Sequence, residues 1–324
     1  MLRSLFSGVS GIRAHQVKMD VVGNNIVNVN TQGYKASRAS FSDMFNQTLR
    51  SASAPSANLG GLNAMQVGLG VSNSSVDRIM GTGGTMTTGR MLDLAIQGDG
   101  FIMCSQGADL YYTRAGNLYL DENGYLLNPN GQYIMGLMFI DPWDYAPPTG
   151  GASPTPITLP DFPLEIEKYT YRESTGTIIQ FQPNPDPNEP PEFNYSGELS
   201  PMGIPVDFSN ISIGKTGIIS GIDSEGNLVD IGMIPLFSFV NPEGLVLEGD
   251  NMYAISQNSG PPLGWRPGQG GAVGDIRSGA LEMSNVDLSK EFTDMITTQR
   301  GYQACSRVIT VSDTLLEELI NLKR

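Results

Sequence analysis

The chain has 324 residues, 40% of them hydrophobic and only 16% charged, with a formal net charge of −14. That hydrophobic content excludes a wholly disordered chain, and the acidic balance argues against a nucleic-acid binder, which needs a basic face. A single histidine (His15) and two cysteines outside any CxxC pair (Cys104 and Cys305) argue against a histidine triad, a multi-histidine metal site and a disulfide framework.

The charge is uneven. Residues 1–50 carry a net +4 and residues 286–324 a net −1, so the middle holds −17. An acidic middle suits a solvated surface on a protein that must stay soluble when crowded.

At the N-terminus Leu2, Leu5, Val9, Ile12, Met19, Val22 and Ile26 recur at alternating spacings of three and four, with Gln16 in the one gap. This is the a/d seam of a helix. The helix is expected to end near Asn28, before the stop signals Asn30 and Gly33. Gly8, Gly11 and Gly23 each cost up to about 1 kcal/mol in a helix interior, yet small residues let another backbone come close. No run approaches the ~18 apolar residues of a membrane helix. Ser4, Ser7, Gly8, Ser10 and Gly11 also break any signal-peptide core.

Residues 36–70 read as an extended arm, with Pro55 inside a Ser-, Ala-, Gly- and Asn-rich stretch. Residues 71–141 and 206–283 show short apolar runs split by turn residues, as one discontinuous β-rich domain would. Asp121-Glu122-Asn123-Gly124 and Asp223-Ser224-Glu225-Gly226-Asn227 predict hairpin turns, since neither has the EF-hand spacing. The glycine runs at 81–84 and 268–271 do not fit GxGxxG and are read as loops. Fourteen of the 21 prolines lie between Pro142 and Pro205. Residues 142–205 are therefore expected to be an inserted outer domain or loop, with strands at 169–171 and 177–181.

At the C-terminus Leu288, Phe292, Met295, Gln299, Tyr302, Ser306, Ile309, Asp313, Leu316 and Ile320 repeat with the same alternation. Ser284, Asn285 and Asp287 are candidate N-caps. A second stripe runs through Val308, Val311, Leu315 and Leu319. One stripe can pair with the N-terminal helix. The other needs the chain's own β core or a neighbouring subunit, because burying each large apolar side chain is worth about 1.5–3 kcal/mol. The expected fold is multidomain and mainly β in the middle. Long α-helices at both termini, 1–35 and 284–324, would form a coiled coil.

Four segments carry a resemblance. NNIVNVNTQGYK (24–35) with Ser7-Gly8 before it, LDLAIQGDGF (92–101), YTRAGNLYLDENG (112–124) and SNVDLSKEFTDMITTQRGYQ (284–303) resemble, in order, the signature segments of the bacterial flagellar rod and hook family. The match spans both ends and both β halves and none of the insertion. It implies a subunit with no enzymatic activity, cofactor or metal. It also implies export through the flagellar type III channel without a cleaved signal, and an extracellular location in the flagellum. Subunits of the family polymerise into a tube lined by a coiled coil of terminal helices, so neighbours would cover the second stripe.

The resemblance thus implies a self-assembly interface of Leu2, Leu5, Val9, Ile12, Met19, Val22, Ile26, Phe292, Met295, Tyr302, Ile309, Leu315, Leu316, Leu319 and Ile320. Asn24, Asn25 and Asn28 are expected to hydrogen-bond across it. The run from Ser51-Ala52-Ser53-Ala54-Pro55 to Val71 and the insertion resemble hook members. The expectation is therefore a hook subunit, forming a curved hollow tube that acts as a flexible joint, with a distal rod subunit as the alternative. The implied partners are copies of itself, then rod, hook-cap and hook–filament junction proteins and the export apparatus. The competing class is a secreted β-rich carbohydrate-binding protein or hydrolase. Its support would be Trp143 and Tyr145 and some carboxylate pair.

Overall fold

The computed structural model describes residues 2–55, 60–107, 109–139, 199–205, 208–224, 226–268 and 273–322. Most of the expected insertion, its two expected strands, and Trp143 and Tyr145 lie outside the described residues. The chain divides into two compact units.

The first unit joins residues 1–29, 35–79 and 286–324. Helix α1 spans Leu2–Val27 and helix α2 spans Leu288–Asn321. Asp287, in extended backbone, caps α2 by accepting from the Ser289 N–H at 2.9 Å and the Lys290 N–H at 3.4 Å. That satisfies two donors that a helix start leaves without an intrahelical partner. The helices lie side by side and antiparallel: Ser4 Oγ is 3.3 Å from Ser312 Oγ, while Lys18 Nζ donates to Asp294 Oδ1 at 3.2 Å.

Between them in sequence are two β-ribbons. Strand β1 (Ser37–Asp43) pairs antiparallel with β4 (Val71–Arg78), with a register shift between Ser40 and Phe41. Strands β2 (Asn46–Arg50) and β3 (Met65–Gly68) form the second ribbon. The stretch expected to be an extended arm is thus largely paired. Strand β4, which the apolar pattern attaches to the β domain, finds its partner in this unit. Strand patterning reports which face is apolar and not which strand lies alongside.

The second unit holds residues 30–34 and 80–285. Its main sheet is antiparallel. It runs in the order Ser209–Ile213, Ile218–Ile222, Leu228–Met233, Tyr133–Met138, Ile102–Gln106, Asp109–Thr113, Met252–Ala254 and Val246–Gly249. Leu94, Ile102, Leu118, Ile134, Ile219 and Ile231 form its buried core. Both expected hairpin turns are present. The Gly124 N–H donates to the Asp121 carbonyl at 2.9 Å, and Gly226 does the same to Asp223. Residues 199–205, the end of the expected insertion, belong to this unit. Ser200–Pro201 pairs with Tyr133–Met138, and Met202 is fully buried in the core.

Cys104 is buried in the strand Ile102–Gln106 and carries no disulfide. Burial pushes its thiol up to about 12, so it stays neutral and inert at physiological pH.

Arg114 is the largest fully buried side chain of the chain's described residues, at 1% exposed, and it faces an equally buried Glu282 at 3.2 Å. Its Nε donates to the Gly100 carbonyl at 3.0 Å and its Nη2 to the Gly98 carbonyl at 2.8 Å. Gly98 and Gly100 have φ of +124° and +132°, which glycine alone adopts without strain. That backbone turns the carbonyls onto the guanidinium. Glu282 Oε1 also accepts from the Gly83 N–H at 2.9 Å. The pair thereby ties residues 83, 98–100, 114 and 282 together.

Removing one partner of such a pair strands a buried charge. Arg114→Ala is expected to destabilise the second unit by about 3–5 kcal/mol, read from chemical denaturation. A loss under about 1 kcal/mol would show that the pair contributes little.

Candidate assembly surface

The antiparallel helices approach through small residues. A β-carbon built on Gly11 would stand 2.8 Å from Cys305 Sγ, and one on Gly8 would stand 3.1 Å from Ile309 Cγ1. One on Gly301 would stand 2.6 Å from the His15 ring. The His15 ring is fixed from its other side by Phe41, edge-on at 6.1 Å. The Lys18–Asp294 pair closes one end of this seam. Both its side chains are about a third exposed, so it is worth no more than about 1 kcal/mol and acts mainly to fix register.

This seam is not the one that apolar periodicity marks. Of the N-terminal stripe only Val22 is fully buried, while Leu5, Val9, Ile12, Met19 and Ile26 are half-buried and Leu2 opens α1. On α2, Met295, Ile309 and Leu316 are half-buried. Phe292 (50% exposed), Tyr302, Leu315, Leu319 (53%) and Ile320 (68%) face solvent, as do Val308 and Val311. Glycine, serine and cysteine take the closest points of the seam, with Ile309 against Gly8 and Val22 buried on the same face of α1, and much of the remaining apolar surface of α2 stays exposed. Sequence reasoning missed Ser4, Gly301, Cys305 and Ser312 as seam residues. Gly8 and Gly11 gave the only advance signal, as helix-interior glycines.

The asparagines divide. Asn25 is buried, and its amide donates to the Ser37 carbonyl at 2.8 Å while its Oδ1 accepts from the Ser37 N–H at 3.0 Å. This clamp fixes the start of β1 on α1 and commits Asn25 within its own chain. Asn28 Nδ2 donates to Asn24 Oδ1 at 2.7 Å across one helical turn. The expected bonds between subunits therefore have internal counterparts here.

The second ribbon adds to the uncovered surface. Every residue of β2 and β3 is exposed, including Leu49, Met65 and Val67, next to Phe45 at 86%. An isolated two-stranded ribbon is marginal in water. Among the described residues, no group of three or more His, Cys, Asp and Glu could hold a metal ion. No helix among them is long and apolar enough to cross a membrane.

Known proteins resemble this chain along its length. Residues 5–35 match the family model of the flagella basal body rod protein. Residues 95–221 match that of the flagellar hook protein FlgE/F/G D1 domain, and residues 277–322 that of the flagellar basal body rod FlgEFG protein C-terminal. The chain is 41% identical to the flagellar basal-body rod protein FlgG of Bacillus subtilis, with both chains covered in full. It is 33% identical to the flagellar hook protein FlgE of Borreliella burgdorferi, again over all of both, in an alignment of 445 positions. The crystal structure of Helicobacter pylori hook protein FlgE2 overlays on 61% of this chain and all of that one, at 15% identity and a TM-score of 0.37.

Two alanine substitutions separate helix propensity from close approach. A β-carbon on Gly23 would meet nothing within 4 Å, so Gly23→Ala should stabilise α1 by about 0.5–1 kcal/mol. Gly301→Ala should instead loosen the helix pair by about 1–3 kcal/mol. Hydrogen exchange of the α1 and α2 amides reads both. Equal gains from the two variants would show that the seam is not close-packed.

Proposed function

The chain belongs to the flagellar rod and hook protein family of axial structural subunits, and we propose that within it the chain builds the hook. In this reading it polymerises into a curved hollow tube that passes motor torque to the filament. The single observation that carries the assembly is the uncovered apolar face of α2. Val308, Val311, Leu315 and Leu319 are exposed in the single chain, and copies of the chain supply what one chain cannot. The paired helices would form the coiled-coil inner layer, and the ribbons at 37–78 would bridge adjacent copies. Rod, cap, junction and export proteins are the further partners this reading implies.

The hook reading rests on the resemblance of residues 51–71 and on the proline-rich insertion. The rod is the second reading, favoured by the 41% identity to the Bacillus subtilis rod protein along the whole chain. The alignment with the Borreliella burgdorferi hook protein is longer than the 324-residue chain, so that relative carries segments absent here. Members of the family are structural proteins, and the carbohydrate-binding or hydrolase class has no counterpart among the relatives reported above.

Negative-stain electron microscopy of the concentrated full chain tests this. Curved tubes with a central channel support the hook, and straight ones support the rod. A chain truncated of residues 290–324 should stay monomeric, since it lacks most of α2. Truncated chains that assemble as the full chain does would contradict the reading.

A further inference from the structure

The first unit carries a groove on the face of α1 turned away from α2. At about 100° per residue, Phe6, Ser10 and Arg13 fall roughly opposite Ser4, Gly8, Gly11 and His15, the seam residues. The groove holds about 590 Å³ between this face and the ribbons. Its floor is Phe6, 67% exposed, and Met44, Leu69 and Val71 form its far wall. Gly70 builds it. The Val71 N–H donates to Ser10 Oγ at 3.4 Å, and any β-carbon on Gly70 would overlap that hydroxyl. The backbone at φ +125° therefore seats the ribbon on the helix at this one point and leaves the groove open beside it.

The lining is apolar with charge of one sign. Arg3 and Arg13 stand on it, and no carboxylate is among its lining residues. One segment of this chain has the complementary character. Residues 308–322 carry Asp313, Glu317 and Glu318, with Arg307 just before them and Lys323 and Arg324 just after. Their exposed apolar residues Val308, Val311, Leu315, Leu319 and Leu322 are spaced three, four, four and three apart, which makes one stripe of a helix. Glu318 borders that stripe at about 100° per residue. The C-terminal end of a helix also carries negative partial charge, which adds to the attraction for arginine.

We propose that this groove receives residues 308–322 of α2 from a second copy of the chain, with the apolar stripe over Phe6 and the carboxylates toward Arg3 and Arg13. The inference rests on the reading that copies assemble, and it specifies which surface of one copy takes which segment of the next. The α2 of the same chain is already engaged on the opposite face of α1 through Gly8, Gly11 and Ser4. The stripe of residues 308–322, on the flank of that seam, remains exposed to a neighbour.

A photo-reactive phenylalanine analogue at position 6 of the full chain tests this, with isotope-labelled and unlabelled copies mixed before assembly. The expected product is a cross-link between copies that maps to residues 308–322. Polymers whose cross-links fall on the neighbour's ribbons or α1, or only within one chain, overturn the groove assignment and leave the assembly reading standing. A chain that stays monomeric at every concentration overturns both. Charge reversal gives a second readout. Arg13→Glu should raise the concentration needed for assembly roughly tenfold, and Glu318→Arg in the same chain should restore it. Assembly unaffected by Arg13→Glu, or a defect not relieved by Glu318→Arg, overturns the pairing.

Discussion

The close approach of α1 and α2 is the constraint from which the rest of the first unit follows. Gly11 and Gly301 leave no room for a β-carbon against the Cys305 and His15 side chains, and Gly8 stands close against Ile309. At those points no larger side chain fits, so Ile309 and Val22 are among the few large apolar residues in the seam and Phe292, Leu315 and Leu319 lie outside it. Burying each of them would yield about 1.5–3 kcal/mol, and the single chain leaves much of that unrealised on α2. The same economy governs the ribbons, whose apolar side chains have no cover of their own. A folded unit that leaves this many large apolar side chains uncovered along one helix presents the kind of surface on which partners dock.

The second unit answers to a different constraint. Its strands are held by an ordinary apolar core, but its family-like segments converge on one buried cation. The LDLAIQGDGF segment supplies the Gly98 and Gly100 carbonyls to Arg114, which lies in the YTRAGNLYLDENG segment. Glu282, two residues before the C-terminal segment, completes the set. Gly33 of the N-terminal segment donates its N–H to the Glu282 carbonyl at 2.9 Å. Pieces far apart in sequence are thus drawn to one place by the need to compensate a single desolvated charge.

Much of this was legible in the sequence, and what was not has physical causes. The helix ends were readable because their signals are local: Asp287 is a cap, and α1 ends at Val27 just before Asn28. The hairpins at Asp121 and Asp223 were readable because an aspartate and a glycine at fixed offsets close a turn. The seam was not, because periodicity finds apolar stripes and cannot say which face a neighbouring backbone will choose. Asn25 was expected to reach across an interface, and its bond to Ser37 depends on where the chain turns after α1. Arg114 and Glu282 are 168 positions apart, and no local pattern links them. The strand Val71–Arg78 was attached to the wrong neighbour for the same reason.

The two units divide the work of an axial subunit. One offers uncovered helix and ribbon surface, and the other supplies a rigid β framework locked by a buried pair. The central claim is that copies of the chain cover the exposed apolar side chains of α2. Hydroxyl-radical footprinting of the unmodified full chain, free and assembled, measures this directly at Phe292, Tyr302, Leu315 and Leu319. Strong protection of these four side chains in the assembled state, against free oxidation in the monomer, is the expected result. Polymers in which they remain as reactive as in the monomer would contradict the account.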